Sequence, residues 1–433
     1  MTTQSPNKLR IGSGMMKPMR VGLDVTAKEV GFKRHASRGI GRYASELSSR
    51  LLADAGPPCH PDVTIAPFRQ TALPLPGWLE GGLKLLGEHR HVARQHLLFS
   101  GVFADSLAKR FDMLHFLSQL DAPAWCTVPY CVTVHDVIPL VLADLHGSST
   151  PLREPWRRRL SLRLEQKAIA GAAHVVTVSH ASARDIERLT AVSAENISVV
   201  YNGVGPEFFN PPQKPAQRIR AELKLPFDRD LILYVGGIDP RKNVMGLISI
   251  FEQTCQRALA SSGHSTADNA GGLPVLVIAG DAKNDTNYPA VRNKIIASPL
   301  RSEIYEVGYL SDEDLRSLLG TTAVFAFPSL YEGFGLPPLE ACAAGVPVVS
   351  SNRSCLPEIL GDGAVLCDPE DHDTFSAKLW GILSNPDHAQ AVSRRGMEHA
   401  RTFTWDKTAE GTLAVYERLE KQGALRRPAS SSG

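Results

Sequence analysis

The chain contains the stretch Ala323-Val-Phe-Ala-Phe-Pro-Ser-Leu-Tyr-Glu-Gly-Phe-Gly-Leu-Pro-Pro-Leu-Glu340, in which three kinds of local sequence follow one another. A run of apolar residues, typical of a buried strand, is followed by a loop that contains two glycines. The loop leads to Pro337 and Pro338, which suit the first turn of a helix because no N–H is required there. The stretch therefore predicts a strand, a loop and a helix in that order.

The same order of strand, loop and helix recurs on both sides of this stretch. Strands that alternate with helices are typical of a parallel sheet covered by helices on both faces. The sequence therefore predicts an α/β protein with two doubly wound, Rossmann-like domains. Strands are predicted at residues 19–25, 112–116, 130–135, 174–179 and 197–201, and again at 231–235, 274–279, 304–307, 323–328 and 347–350. Helices are predicted at residues 39–52, 151–170, 181–189, 243–259, 312–319 and 338–344.

Four prolines at residues 204–217 interrupt this alternation, and the segment is interpreted as a linker. Two such domains leave a cleft between them, and ligands bind beyond the carboxyl ends of parallel strands. The residues that follow each strand are therefore the candidates for function. We expect a flexible segment at 1–18, a first domain at 19–212, a second domain at 213–405 with a flexible polar insert at 261–272, and a disordered tail at 425–433.

The composition excludes several classes of protein. Of the 433 residues, 43% are hydrophobic and 21% are charged, which is typical of a globular protein and excludes a fibrous or mostly disordered chain. The seven cysteines are odd in number and form no Cys-x-x-Cys, so neither a disulfide framework nor a zinc cage is expected. The first twenty residues lack an apolar core, and no apolar run reaches the roughly 18 residues of a membrane span. We expect a cytoplasmic protein.

The net charge of +2 combines a basic half with an acidic half. The first 212 residues carry 24 basic and 18 acidic side chains, whereas the remainder carries 23 and 27. The predicted helix at 151–170 holds five arginines and a tryptophan, which indicates peripheral contact with an anionic membrane or a lipid diphosphate. A core-packed helix with a solvated basic face is an equal alternative. No nucleic-acid partner is expected.

The loop after the strand at 231–235 has residues suited to a diphosphate. Gly236 and Gly237 allow close approach of the backbone, and Arg241 and Lys242 precede the start of a helix. Backbone N–H groups, the helix dipole and two cations together bind a diphosphate well. A tight turn with two solvated cations is the alternative at this point.

The loop after the strand at 323–328 combines hydrogen-bond donors with two carboxylates. Gly333 and Gly335 let the backbone expose N–H groups at the start of a helix, which suits an anion. Glu332 lies in the loop and Glu340 about one turn into the helix, where both can accept hydrogen bonds from neutral sugar hydroxyls. The combination indicates a nucleotide sugar. Two surface acids that stabilise the helix dipole are the alternative.

These residues resemble the motifs of a known family. The sequence Tyr-Glu-Gly-Phe-Gly-Leu-Pro-Pro-Leu-Glu at 331–340 resembles the Glu-x7-Glu signature of glycosyltransferase family 4, whose members are retaining enzymes with the GT-B fold. The residues at 39–41, 134–136, 236–243 and 308–310 are similar to other motifs of that family in order and spacing. The resemblance runs from about residue 19 to residue 419. It implies two domains that face each other across a cleft, with a helix at 406–424 that crosses back to the first domain.

The resemblance implies roles for the matching residues of the second domain. Glu332 would hold the transferred sugar, and Glu340 would bind the ribose hydroxyls. Lys242 would neutralise the diphosphate. Most members of the family carry an arginine where this chain has Gly237, and we expect Arg241 to take its place. Further donor contacts are implied for Gly236, Tyr309, Gly333, Phe334, Gly335 and Leu336.

In the first domain, the resemblance places His135 beside the donor sugar, although a lone histidine at a strand end is more often structural. Gly39 and Gly41 would approach the diphosphate or the acceptor from the loop after the first strand. A plain tight turn is the alternative for these two glycines. Further candidates for the acceptor and the cleft are Asp136, Arg42 and Ser179.

No loop of the cleft has a metal-ligand pattern, so no metal ion is expected, and no cofactor besides the nucleotide sugar. The pair Asp228 and Asp230 precedes a strand and lies at the wrong end of the sheet. Helix N-termini together with Arg241 and Lys242 would then stabilise the leaving nucleoside diphosphate. The resemblance implies retention, with attack from the front face while the leaving phosphate helps to take the acceptor proton.

Within the family, residues 134–139 and 234–243 are most similar to bacterial mannosyltransferases of surface-polysaccharide assembly. We therefore expect transfer of mannose from GDP-mannose to a glycan or a lipid-linked oligosaccharide, as in O-antigen or lipopolysaccharide synthesis. Transfer from a UDP- or dTDP-sugar stays open. A nucleotide-sugar epimerase of the same fold and a non-enzymatic scaffold that binds nucleotide sugars stay open as well.

Overall fold

The computed structural model describes residues 18–29, 39–52, 63–72, 95, 99, 104–145, 156–210, 214–262, 272–282 and 285–422. These residues form two parallel six-stranded sheets. The first sheet consists of β1 (Met19–Asp24), β2 (Val63–Phe68), β3 (Met113–Phe116), β4 (Tyr130–Val134), β5 (His174–Thr177) and β6 (Ile197–Val199). The second sheet consists of β7 (Leu231–Val235), β8 (Val275–Ala279), β9 (Ile304–Gly308), β10 (Val324–Phe327), β11 (Val348–Ser351) and β12 (Val365–Cys367).

Helices alternate with these strands along the chain. The predicted α/β class with two doubly wound domains is therefore confirmed. The first domain contains α1 (Gly39–Leu51), α2 (Ala104–Arg110), α3 (Ile138–Leu145), α4 (Trp156–Ala170) and α5 (His180–Leu189). They are followed by α6 (Ala216–Glu222), α7 (Val244–Ser262), α8 (Tyr288–Ala297), α9 (Asp312–Leu319), α10 (Leu336–Ala343), α11 (Leu356–Leu360), α12 (His372–Leu383), α13 (Pro386–Ala400) and α14 (Trp405–Lys421).

The central strands of each sheet are covered on both faces. Every residue of β3, β4 and β5 is buried, and so is every residue of β8, β10 and β11. Strands buried on both faces read as unbroken apolar runs, which is why the sequence predicts them. The edge strand β2 differs because its Thr64 and Pro67 are exposed. Its interrupted pattern explains why no strand is predicted there.

The order of the strands places two loops of the second sheet side by side. The orders are β2-β1-β3-β4-β5-β6 and β12-β11-β10-β7-β8-β9. The winding direction reverses between β1 and β3 in the first sheet, and between β7 and β10 in the second. Ligands of doubly wound sheets bind at such a switch point, beyond the carboxyl ends of the strands. The loops at 236–243 and 328–335, the two motifs that predict donor binding, both open at this point.

The proline-rich segment at 204–217 is packed against the second domain. Val204 forms a parallel bridge with Thr404 and donates its N–H to Phe403 O (3.1 Å). Phe208 is buried in the core of the second domain. The chain therefore passes between the two sheets at two adjacent points. The predictions for the N-terminal segment, the polar insert and the tail fall outside the described residues, apart from Pro18, Gly272 and the end of α7.

The last helix, α14, packs on the first sheet. Its Val415, Tyr416 and Leu419 form one buried cluster with Met19 and Val21 of β1. Its first residue is buried in a second cluster together with residues of α1. The end of the chain thus supports the first domain. No helix in the described part of the chain combines the length and the apolar character that a membrane span requires.

Candidate active site

The loop after β7 is packed tightly against the loop after β8. Gly236 donates its N–H to Ala279 O (2.9 Å). Gly280 has φ +147°, and a Cβ on this residue would overlap with Gly236 O. This position therefore requires a glycine. The hydroxyl of Tyr234 donates to Gly237 O (2.6 Å), so both Gly236 and Gly237 are held by hydrogen bonds.

The same loop carries two cations towards the loop after β10. Arg241 and Lys242 lie on a single 3₁₀ turn that ends where α7 begins. Leu330 donates its N–H to Arg241 O (2.6 Å), and Arg241 Nη1 donates to Tyr331 O (3.0 Å). The two predicted motifs are therefore joined at the switch point.

Glu332 binds both cations. Its Oε1 is 2.6 Å from Lys242 Nζ, and its Oε2 is 3.1 Å from Arg241 Nη1. Ser329 Oγ donates to the same carboxylate (2.6 Å). Burial opposes ionisation, but the two cations hold the pKa of Glu332 below its usual value. The site therefore contains a buried, ionised carboxylate shared between two cations.

The backbone of Glu332 is held by residues that the sequence predictions missed. Ser354 Oγ accepts the N–H of Glu332 (2.9 Å) and donates to its carbonyl oxygen (3.0 Å). Cys355 Sγ donates to the same oxygen (3.2 Å). Ser354 has φ +52°, which is uncommon for a residue other than glycine. These residues lie more than 20 positions after Glu332, so no local spacing indicates the contact.

Glu340 is buried inside α10 and is paired with Arg42 of the first domain. Arg42 also pairs with Asp312 at the start of α9. Burial raises the pKa of Glu340 to about 7, with Arg42 opposing the increase and Asp312 adding to it. The sequence predicts Arg42 as a residue of the acceptor and the cleft. The structure places its guanidinium group against two carboxylates of the second domain.

The N-termini of two helices meet across the cleft. The helix α1 begins at Gly39, where the sequence predicts a helix to start, so Gly39 and Gly41 lie in its first turn and not in the loop before it. A Cβ on Gly39 would lie 3.7 Å from Leu336 Cδ1 at the start of α10. Gly335, which precedes this helix, has φ +90°. The positive dipole ends of both helices therefore lie next to one space, which suits an anion.

His135 follows β4 and is held from three sides. Its Nε2 is 3.0 Å from Leu117 O, and its ring meets the ring of Tyr43 edge to face, with 4.7 Å between centroids. The side-chain amide of Gln119 accepts the N–H of His135 (3.3 Å) and donates to Asp136 O (3.0 Å). The sequence predictions missed Tyr43 and Gln119, although Tyr43 lies in the helix that carries the predicted glycines.

His135 and Asp136 contact the loop that carries Glu332. A Cβ on Gly333 would lie 2.5 Å from His135 O, so the domains approach each other too closely here for a larger residue. Burial raises the pKa of Asp136, while the nearby charge of Arg241 opposes the increase. The structure therefore brings His135 and Asp136 to the cluster of carboxylate and cations.

Ser179 has a structural position at the domain interface. It caps α5 by accepting the N–H of Ser182 (3.0 Å), and its own hydroxyl donates to Gly333 O (2.8 Å). The residue is fully buried. Ser179 thus joins the first domain to the loop that carries Glu332, and its hydroxyl points at that loop.

Two further predicted residues differ in exposure. The side chain of Phe334 is buried against Tyr201 and Phe403, so its backbone is the part that can face a ligand. Tyr309 follows the edge strand β9 and is 70% exposed, so its side chain is open to solvent.

The described residues contain no group of three or more His, Cys, Asp or Glu side chains that could hold a metal ion. The pair Asp228 and Asp230 precedes β7, at the end of the sheet opposite the site.

Residues 215–399 match the family model described as Glycosyl transferases group 1, and residues 37–208 match the model described as Glycosyltransferase Family 4. The chain belongs to glycosyltransferase family 4. The first match contains the loops after β7 and β10, and the second contains α1, His135 and Asp136. Every candidate residue of the site therefore lies within the matched parts of this family 4 glycosyltransferase.

This family 4 glycosyltransferase is similar to two mannosyltransferases of Escherichia coli. O-antigen chain mannosyltransferase B is 29% identical over 293 residues, which cover 66% of this chain and 70% of that protein. Serotype-specific mannosyltransferase WbdA is 26% identical over 301 residues, which cover 69% of this chain but 34% of WbdA. The crystal structure of Anabaena HepE in complex with UDP-glucose aligns with a TM-score of 0.64 and 16% identity, over 93% of this chain and 100% of that chain. This likeness confirms the GT-B fold.

Proposed function

We propose that this glycosyltransferase transfers mannose from GDP-mannose to a glycan or a lipid-linked oligosaccharide. The observation that carries the proposal is the cluster of Glu332, Arg241 and Lys242 at the switch point of the second sheet, opposite His135. Two cations beside a carboxylate match two adjacent parts of a nucleotide sugar, the diphosphate and the hydroxyl groups of the sugar bonded to it. The N-terminus of α1 adds N–H donors for the diphosphate, and the positive dipole end of α10 adds to the attraction.

The contacts of Glu332 indicate how the donor is held. The diphosphate takes the place of the carboxylate as the anion that Arg241 and Lys242 bind. Glu332 then accepts hydrogen bonds from the hydroxyls of the sugar, and Ser329 keeps its carboxylate oriented. Because this arrangement is built before the reaction, it stabilises the negative charge that develops on the leaving phosphate.

The proposed chemistry retains the configuration of the sugar. The bond between the anomeric carbon and the phosphate oxygen breaks, and the acceptor oxygen bonds to the same face of that carbon. The proton of the acceptor hydroxyl passes to the leaving phosphate oxygen. His135 lies beside the sugar in this arrangement, and Asp136 lies on the side from which the acceptor approaches.

Arg42 belongs to the donor side in this proposal. Its guanidinium group pairs with Glu340, the residue assigned to the ribose hydroxyls, and with Asp312 at the start of α9. It is also 5.6 Å from the centre of the Phe208 ring. Arg42 therefore contacts the nucleoside or its diphosphate once the ribose engages Glu340.

The nucleotide can be identified with a thermal-shift panel of GDP, UDP, dTDP and ADP. The names of the similar mannosyltransferases favour mannose as the transferred sugar, whereas the UDP-glucose bound to HepE supports a UDP-sugar as the alternative donor. A ligand that binds only the native state at a hundred times its Kd adds about 2.7 kcal/mol to the free energy of unfolding. We expect the largest rise in Tm with GDP, and release of GDP from GDP-mannose. A strong response to UDP with none to GDP would overturn the mannose assignment.

The proposal includes a membrane contact through α4. Arg163 and Lys167 are exposed, and Leu160 beside them is 48% exposed. Lys167 Nζ lies 4.2 Å from the centre of the ring of Trp125, which is itself exposed. Cations next to exposed apolar side chains suit an anionic lipid surface. The side chains of the arginines at 153–158 lie outside the described part of the chain.

Flotation with vesicles that contain phosphatidylglycerol tests this contact. We expect binding at low salt that weakens as salt is added, because each cation near an anionic surface contributes about 1 kcal/mol. Arg163→Glu with Lys167→Glu should remove most of the binding. Lys378→Glu with Arg394→Glu, two exposed positions in the second domain, is the matched control. If the protein does not bind the vesicles, or binds them equally at low and high salt, the proposed membrane contact is wrong.

A further inference from the structure

Buried hydrogen bonds connect the last helix to the interior of the first domain. Tyr416 OH of α14 is 2.5 Å from His115 Nδ1, and His115 Nε2 is 3.0 Å from Thr133 Oγ1. Thr133 Oγ1 is in turn 3.1 Å from Tyr43 OH of α1. All four side chains are fully buried. The bonds therefore form one network through α14, β3, β4 and α1.

The imidazole of His115 holds both of its neighbours. Burial, together with the nearby His174, lowers the pKa of His115 to about 3, so the ring is neutral at physiological pH. A neutral imidazole donates from one nitrogen and accepts at the other. It can therefore bond the hydroxyls of Tyr416 and Thr133 at the same time. A buried polar network whose members are all bonded makes the surrounding structure rigid.

The network ends beside the candidate active site. The ring of Tyr43 meets the ring of His135 edge to face, with 4.7 Å between centroids. On another side, Tyr43 lies 6.2 Å from the ring of Trp405, the first residue of α14. The residue before Tyr43 is Arg42, which pairs with Glu340 across the cleft. The position of Tyr43 therefore affects both His135 and the cation that α1 presents to the donor.

We propose that Tyr43 and Tyr416 are positioning residues for His135, with His115 and Thr133 as the link between them. This inference rests on the proposed function, because it assigns to the last helix a role in aligning the transfer site. The bond to Thr133 sets how far the ring of Tyr43 extends towards His135. Tyr416 holds the other end of the network. Loss of either hydroxyl lets Tyr43 shift, and a displacement of about 1 Å near a reacting centre can lower the rate about a hundredfold.

Tyr43→Phe and Tyr416→Phe test the proposal, because each removes a hydroxyl and keeps the ring. We expect GDP release from GDP-mannose to fall about tenfold in each variant, with a smaller loss of affinity for GDP, because Arg241, Lys242 and Glu340 lie in the second domain and only α1 is shared with the network. His115→Gln keeps one donor and one acceptor and should retain more turnover than His115→Leu. The matched control is Tyr130→Phe, whose buried hydroxyl donates to the backbone of α4 at the opposite end of β4.

A second measurement does not depend on turnover. The ring protons of His135, followed by NMR, should shift in Tyr43→Phe and Tyr416→Phe and stay in place in Tyr130→Phe. Wild-type turnover and spectra in both test variants would overturn the inference, and so would an equal loss in the control. A wild-type protein that transfers no sugar would contradict the proposed function, while the spectra would still decide the role of the network.

Discussion

Replacing Arg241 and Lys242 together by alanine is expected to lower the turnover of the nucleotide sugar by about a thousandfold or more. Both side chains contact Glu332, and in the proposed function they bind the diphosphate as negative charge develops on it. Loss of a single preorganised donor lowers turnover by roughly 10²–10³ in other enzymes, and here two charged donors are lost. Initial rates of GDP release from GDP-mannose measure the effect.

A second variant separates loss of chemistry from loss of folding. The double replacement leaves Glu332 as a buried carboxylate without its cations, which lowers the free energy of unfolding by about 3–5 kcal/mol. Adding Glu332→Gln removes that charge and should restore stability without restoring turnover. Lys214→Ala with Arg218→Ala is the matched control, because both cations pair with Glu222 elsewhere in the second domain. Near wild-type turnover in the double variant would contradict the role of both cations.

Glu332→Gln alone is expected to lower turnover by about a hundredfold or more while GDP binds at least as tightly as in the wild type. The carboxylate and the diphosphate compete for the same two cations, so its removal frees Arg241 and Lys242 for GDP. The hydroxyl groups of the sugar, in contrast, lose the carboxylate that accepts their hydrogen bonds. Calorimetric titration with GDP and rates with GDP-mannose measure the two effects. Glu370→Gln, at an exposed residue paired with Arg353, serves as the control.

The same variant has an expected pH dependence. The pKa of Glu332 is lowered in the folded protein, so its charge stabilises the fold above the usual value near 4.5 and less as the pH falls below it. The stability that the wild type has over Glu332→Gln should therefore stay constant above about pH 5 and shrink as the pH falls below about 4.5. A parallel loss of GDP affinity and turnover, or a difference that grows on acidification, would contradict the assignment.

The fold could be predicted where the local pattern is strong. Leu231–Val235 and Asp312–Leu319 have the bounds that the sequence predicts, because one is a continuous apolar run and the other has a helical spacing of apolar residues. The edge strand at Val63–Phe68 and the three-residue strand at Val365–Cys367 were missed. Both strands are stabilised by pairing with a neighbouring strand. The residues within a strand do not show which strand it pairs with, so the sequence pattern alone does not predict these two.

The site shows the same division between local and distant contacts. Glu332 and Lys242 can be predicted as site residues from the sequence, because glycines, prolines and charged residues lie within a few positions of each. The guanidinium group of Arg42 is different, because it reaches a carboxylate 298 positions away. Its position depends on how the two domains face each other.

The sequence by itself determined the order of strands, loops and helices, and with it which loops follow which strands. It also placed Glu332 just before one helix and Glu340 inside it, because glycines and prolines between them mark where that helix starts. Only the tertiary structure decided that the loops after β7 and β10 are neighbours and that Arg42 pairs with Glu340. It alone joined Tyr416 to His115, 301 positions apart. Such contacts depend on strand order and on the packing of whole helices, and neither is encoded by the spacing of residues within one segment.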